Sequence, residues 1–171
     1  MFDQFLYQLG ILEHHFFSFS KSGWFLHFKT AYLLSLYNYF WGIGLNNFQL
    51  NCQNISYLVE IDSGGNKIYR DGCSTHPHNY YLEWLVELGL IGLLFFIGFI
   101  VTTFYTSIKK LSDFSLLNKN NLIIVLVNFF TLNWPIMSTG SFFHNWNSVI
   151  YWFTFALICY FNKISLKNKN E

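Results

Sequence analysis

Charge is scarce in this chain. Of its 171 residues, 11% are Asp, Glu, Lys or Arg, against roughly 25% in ordinary soluble domains. So few charges cannot clothe a water-facing surface around what remains, which is 53% apolar and 22% aromatic, with 21 phenylalanines. A soluble core of this size has no room for that much aromatic surface, so lipid is the expected solvent. A net charge of +1 excludes nucleic-acid binding through bulk electrostatics. Arginine occurs once, at Arg70, and cysteine only at Cys52, Cys73 and Cys159. The adjacent pair His14-His15 has no cysteine or carboxylate at ligand spacing, and neighbours on a helix point about 100° apart. No metal and no cofactor is therefore expected. Met1 to Leu12 lacks a basic n-region and a small-residue cleavage site, so it does not read as a signal peptide. That pattern fits a chain preceded by further membrane spans, or a shortened gene, better than an independently exported protein.

Three long apolar runs stand out. Leu88 to Ile108 holds 21 residues without a charge, enough for one bilayer crossing of roughly 20 residues. A second run covers 122–137 and a third 142–161. Lys109, Lys110 and Lys119 follow the first run, Lys163, Lys167 and Lys169 follow the third, and 138–147 has neither Lys nor Arg. By the positive-inside rule the 109–120 loop and the C-terminus are cytoplasmic, and the region before Leu88 lies outside. The expectation is an all-α, polytopic integral membrane protein: an extracytoplasmic loop region over 1–79 and a three-span membrane domain over 80–171. Phe28 to Trp41 reads as an interfacial helix with a polar side at Lys29, Ser35 and Asn38. Gly42-Ile43-Gly44 ends it, as a simple helix stop or as a ligand-cradling turn.

Residues 46–75 are the most polar part and read as an exposed loop, with a short hairpin at Tyr57 to Ile61 and Lys67 to Tyr69 around Ser63 to Asn66. If the loop faces an oxidising compartment, a Cys52–Cys73 disulfide closes it and holds the following histidines near the glycine turn. Cys159 is expected as a free thiol.

The chemistry concentrates in the stretch from Ser74 to Gly92, a polar, imidazole-bearing loop that runs into an apolar helix. Pro77 suits a first helical turn. A start there would put His78 and Asn79 in that turn, where the positive dipole end favours neutral imidazole, the form a proton acceptor needs. His76 is read as a supporting or surface group. Asn79, Glu83 and Glu87 recur four residues apart on one stripe. These residues could orient His78 or bind acceptor sugar hydroxyls; Glu83 reads rather as an acid in the solvated first half of the helix, and for Glu87 both readings stay open. Gly89 and Gly92 would allow close helix packing. His144 emerges on the same side as His78, and Trp146 and Trp152 look like interfacial anchors.

These residues carry a resemblance. His78-Asn79, nine residues, then Gly89-Leu90-Ile91-Gly92 resembles the H-[NSQ]-x9-G-x-x-G signature of bacterial O-antigen ligases and the related polymerases. Gly42-Ile43-Gly44-Leu45-Asn46-Asn47-Phe48 resembles the G-x-G-x-x-x-F turn that precedes it in that family. The resemblance implies an inner-membrane glycosyltransferase of the cell envelope. It would move an oligosaccharide from a polyprenyl diphosphate to a sugar hydroxyl on a glycan or lipid acceptor, without metal or cofactor, together with further N-terminal spans. It implies His78 and Asn79 as catalytic, His78 or else His76 being the base, and Arg70, Lys29, His76 and Glu87 as substrate-binding. Relatives read Ser-Gly-Arg before the interfacial helix; here Ser22-Gly23 is followed by Trp24, leaving Lys29 as the candidate charge, a point ammonium rather than a bidentate fork. Ligase and polymerase share these motifs. Readings from other classes are a non-catalytic protein binding glycan lipids and a metal transporter using His14, His15, His76 and His78.

Overall fold

The longest element contains a charge-free run, Leu88 to Ile108. In the computed structural model, which describes residues 23–54, 59–63, 66–70, 72–111, 116–136 and 139–168, helix α3 runs Tyr80–Lys110 over 31 residues. It follows α1 (Gly23–Ser35), α2 (Phe48–Asn54) and the hairpin β1 (Val59–Ser63) and β2 (Asn66–Arg70), and precedes α4 (Leu116–Leu132) and α5 (Asn145–Asn168). Among the described residues α3 is the one helix both long and apolar enough to cross a membrane. Glu83 lies in its first turn and Lys109 and Lys110 in its last, each charge opposite the dipole end it faces. Gly89, at φ 69° and ψ −171°, breaks the helical path. The stretch from Leu90 to Lys110 still extends about 31 Å at 1.5 Å per residue, enough for the hydrocarbon core.

The other two expected crossings are not established. Helix α4 has 17 residues, with Asn118, Lys119, Asn120 and Asn121 crowding its start, and α5 carries Asn147, Thr154, Asn162 and Lys163 within its 24 residues. Those polar groups dilute the apolarity that α3 keeps. The interfacial helix also differs from its expected 28–41 range. It begins five residues earlier, at Gly23, and ends at Ser35, where the Ser35 hydroxyl donates to the Tyr32 carbonyl at 2.7 Å and competes with the helix ladder. Leu36 N–H then reaches Leu33 O and Tyr37 N–H reaches Leu34 O, both at 3.2 Å, the tighter i−3 pattern of a helix end. The hairpin pairs antiparallel from Val59↔Arg70 to Ser63↔Asn66, two residues beyond the expected first strand, and is the only β structure among the described residues.

Packing divides the chain into two compact units, residues Met1–Leu93 with Ile136–Phe142, and Leu94–Pro135 with Phe143–Glu171. In the first, Ala31 and Leu34 of α1, Phe48 and Cys52 of α2 and Val86 of α3 form one buried cluster, with Ile43, Cys73 and Leu82 against it. A disulfide joins Cys52 to Cys73, Cα atoms 5.3 Å apart, and so ties the loop before the histidines to α2. The second unit is an aromatic ladder: Phe129 and Tyr151 are fully buried, with Phe99 and Phe155 4.8 Å apart by ring centroid. Its few polar groups pair internally, Tyr151 Oη donating to Asn133 Oδ1 at 2.9 Å and Asn162 Nδ2 to Ser107 Oγ at 2.9 Å. Cys159 is free and exposed.

Candidate functional site

Breaking a helix leaves carbonyls before the break and N–H groups after it without partners. At Gly89 the glycine turn supplies both. Ile43 N–H donates to Val86 O and Gly44 N–H to Glu87 O, each at 2.9 Å, while Leu90 N–H donates to Tyr39 O at 2.8 Å. The Glu87 carboxylate, 2% exposed, accepts Asn46 N–H at 2.8 Å. Two spaced sequence motifs are thus the two halves of one joint. Gly42 (φ +73°) and Gly89 (φ +69°) adopt left-handed backbone that favours glycine, and a Cβ on either would collide with backbone: at Gly42 with the Glu87 carbonyl and the Gly89 nitrogen, at Gly89 with the Phe40 carbonyl. Gly44 also has positive φ, and a Cβ at Gly92 would meet that of Leu88. The expected role of Gly89 in helix packing is therefore corrected to that of a helix break sealed by another segment.

The same joint fixes where α3 begins. Its first residue is Tyr80, not Pro77. Asn79 is the N-cap, its Oδ1 accepting Leu82 N–H at 3.2 Å and its carbonyl accepting Glu83 N–H at 2.9 Å, which satisfies helix-end donors. His78 stands one residue outside the helix with φ 57°, a left-handed conformation uncommon for a residue with a side chain. The dipole argument for its neutrality consequently gives way to a stronger one, burial.

Three imidazoles gather there. His76 and His78 have ring centroids 4.1 Å apart, His27 lies 4.9 Å from His78, and the Trp24 indole meets His78 edge-on at 5.2 Å. Helix α1 delivers Trp24 and His27 one turn apart. Gly72 lets the loop approach α1 closely, since a Cβ there would strike the Leu26 carbonyl, and its own carbonyl accepts His27 Nδ1–H at 2.8 Å. His76 Nε2–H donates to the Thr139 carbonyl at 3.3 Å, and His76 Nδ1 accepts the Thr75 hydroxyl at 2.9 Å. Carbonyls accept only, so these contacts assign the protonated nitrogen of His27 and of His76. Thr139 N–H donates to the His78 carbonyl at 2.9 Å. Burial, and then the neighbouring His76 and His27, lower the His78 pKa from 6.5 to about 4, against a backbone hydrogen bond with Thr139 that raises it. His78 is therefore uncharged at neutral pH.

The remaining predicted residues are placed as follows. Lys29 is exposed on α1. Arg70 ends β2, and its side chain lies outside the described residues, as do His14 and His15. Glu83 is buried and bonded to residues 141 and 142, not a solvated acid of a first turn. His144 is exposed, and its carbonyl accepts Ser148 N–H at 3.2 Å. Among the described residues no group of three or more His, Cys, Asp or Glu is arranged to hold a metal. Sequence reasoning missed Trp24, His27 and Thr139. Their one legible signal was Gly72, a glycine beside a cysteine that could tie its loop down.

The joint and the imidazole cluster place a polar site at the N-terminal end of the one described helix that is long and apolar enough to cross a membrane. The family model described as O-antigen ligase matches residues 2–97, more than half of the chain and the whole of the joint and imidazole cluster. The chain belongs to the O-antigen ligase family, whose members are membrane-bound. No characterised protein and no solved structure matches it.

Proposed function

We propose that this chain carries the acceptor-activating half of a membrane glycosyltransferase that moves a polyprenyl-diphosphate-linked oligosaccharide onto a sugar hydroxyl, with His78 as the general base. The observation that carries the reading is the packing of a half-buried His78 against His27, His76 and Trp24, which favours its neutral form with a proton-accepting nitrogen. As the acceptor oxygen bonds to the sugar carbon, its proton passes to that nitrogen, and the glycan leaves its diphosphate. Anionic diphosphate arriving near the three rings would raise the His78 pKa from its low resting value and strengthen the base as substrate binds. Thr139 Oγ1 is buried with no hydrogen-bond partner among the described residues, the kind of group a substrate hydroxyl would satisfy. In this reading Asn79 shapes the site by capping α3, Glu87 by locking the glycine turn, and Lys29 and Arg70 meet the diphosphate. The loop region faces the periplasm and the C-terminus the cytoplasm, with α4 and α5 as further crossings.

The test is His78→Ala in the complete membrane protein, followed by transfer of lipid-linked glycan to acceptor. We expect turnover to fall about 100-fold or more with normal protein levels, and His76→Ala to cost less. Full transfer by the His78 variant would overturn the assignment.

A second reading, a protein that binds glycan lipids without transferring them, is favoured by one observation: Lys29, a candidate cation for the diphosphate, is exposed. A leaving diphosphate needs positive charge. Binding of the lipid-linked glycan that persists without any turnover in the wild-type protein would select it.

A further inference from the structure

One buried carboxylate holds a segment from far along the chain. Glu83 is 1% exposed. One of its oxygens accepts the Ser141 hydroxyl and the other accepts Phe142 N–H at 2.6 Å. Just before them, Thr139 gives its N–H to the His78 carbonyl at 2.9 Å and takes His76 Nε2–H on its own carbonyl at 3.3 Å. Phe142, 4% exposed, seats its ring edge-on against Tyr80 at 5.2 Å and Trp84 at 5.5 Å. Residues 139–142 are therefore bolted at one end to the first turn of α3 and at the other to the His76 ring and the His78 backbone.

A carboxylate is a costly way to fill space. Removing one from water is strongly unfavourable unless its oxygens find donors, and an apolar residue of similar volume would often be the more stable choice. What the carboxylate adds is direction. Its two oxygens take two donors from consecutive residues, which fixes the register of 139–142 against the helix turn that Asn79 caps. The geometry points to Glu83 as a positioning residue for the transfer reaction: by gripping Ser141 and Phe142 it holds Thr139 against His76 and His78 and so sets the aim of the base. This rests on the assignment of His78 as that base.

The experiment places Glu83→Ala, Glu83→Gln and Ser141→Ala beside His78→Ala in the complete protein, reading kcat and KM separately. A glutamine oxygen can still accept Phe142 N–H, and the Ser141 hydroxyl can turn to accept from its amide. The expected results are a drop in kcat of about tenfold or more for Glu83→Ala, recovery to within about threefold of wild type for Glu83→Gln, and donor KM unchanged in both. The Cε1–H resonances of His76 and His78 should shift in Glu83→Ala and return in Glu83→Gln. If Glu83→Ala fails to accumulate, Ser141→Ala decides: its kcat should fall about threefold or more with KM unchanged. Wild-type kcat in Glu83→Ala or, failing that variant, in Ser141→Ala, with His78→Ala inactive, overturns the positioning role and leaves the base assignment standing. Full activity of His78→Ala overturns both.

Discussion

The two compact units solve opposite problems with the same poverty of charge. In the unit containing the histidines, buried polar groups are matched across distant segments: Glu87 to Asn46, Glu83 to Ser141 and Phe142, His27 to Gly72. In the unit built from the later helices, side-chain hydrogen bonds mostly return to the helix's own backbone, as with Thr103 Oγ1 to Phe99 O at 2.8 Å and Thr154 Oγ1 to Ile150 O at 2.9 Å. Large apolar side chains there face outward, Phe95 at 76%, Ile124 at 66% and Phe153 at 64% exposed, as lipid contact requires and water would penalise. The first unit is specified by polar geometry, the second by aromatic packing. Chemistry belongs where geometry is specified.

One helix crosses this contrast, so one substitution can test it. Gly89→Ala puts a methyl into the Phe40 carbonyl at a positive φ, whereas a Cβ at Gly98, on the same helix, would meet nothing within 4 Å. We expect Gly89→Ala to abolish transfer and to lower stability by about 3 kcal/mol or more, from strain and collision together, and Gly98→Ala to change neither. Equal tolerance at both positions, read by detergent-resistant folded protein and by transfer, would erase the distinction. A smaller effect is expected inside the second unit. Tyr151→Phe leaves Asn133 Oδ1 without the Tyr151 hydroxyl, at a cost of about 1 kcal/mol in thermal unfolding and with turnover intact. Lost turnover there would mean that the aromatic ladder takes part in the site.

How much of this was legible in the sequence follows from the range over which each signal acts. The apolar run of α3 and the polar loop before it are local, and composition alone exposes them, whereas the break at Gly89 was not read because residues 39–44 seal it from another part of the chain. The hairpin was visible because its strands are neighbours, although the first strand runs on to Ser63, two residues past its expected end, and residues 57–58 lie outside the described residues. The C-terminal end of α1 was misplaced because the Ser35 hydroxyl turns back to the Tyr32 carbonyl, a stop that the apolar pattern does not mark. His78 was found and His27 was not. A motif flags a residue, but nothing in spacing brings an imidazole 51 positions earlier against it. Glu83 was read as a solvated acid because a stripe on a helix says nothing about a segment arriving from residue 141.

The central claim is that His78 is a neutral, half-buried proton acceptor. Folding lowers its pKa from 6.5 to about 4, so as pH falls the unfolded chain takes up the proton first. The first unit should lose stability from about pH 6.5 down to about pH 4 and then level off, the stability being fully present above that window. The most direct measurement is the pH profile of kcat/KM for the complete protein, which reports the free enzyme's essential base. The account predicts activity sustained below pH 6.5 with an acid limb near 4, absent from the residual activity of His78→Ala. A limb at 6.5 or above in the wild type, or one that survives in His78→Ala, would contradict it.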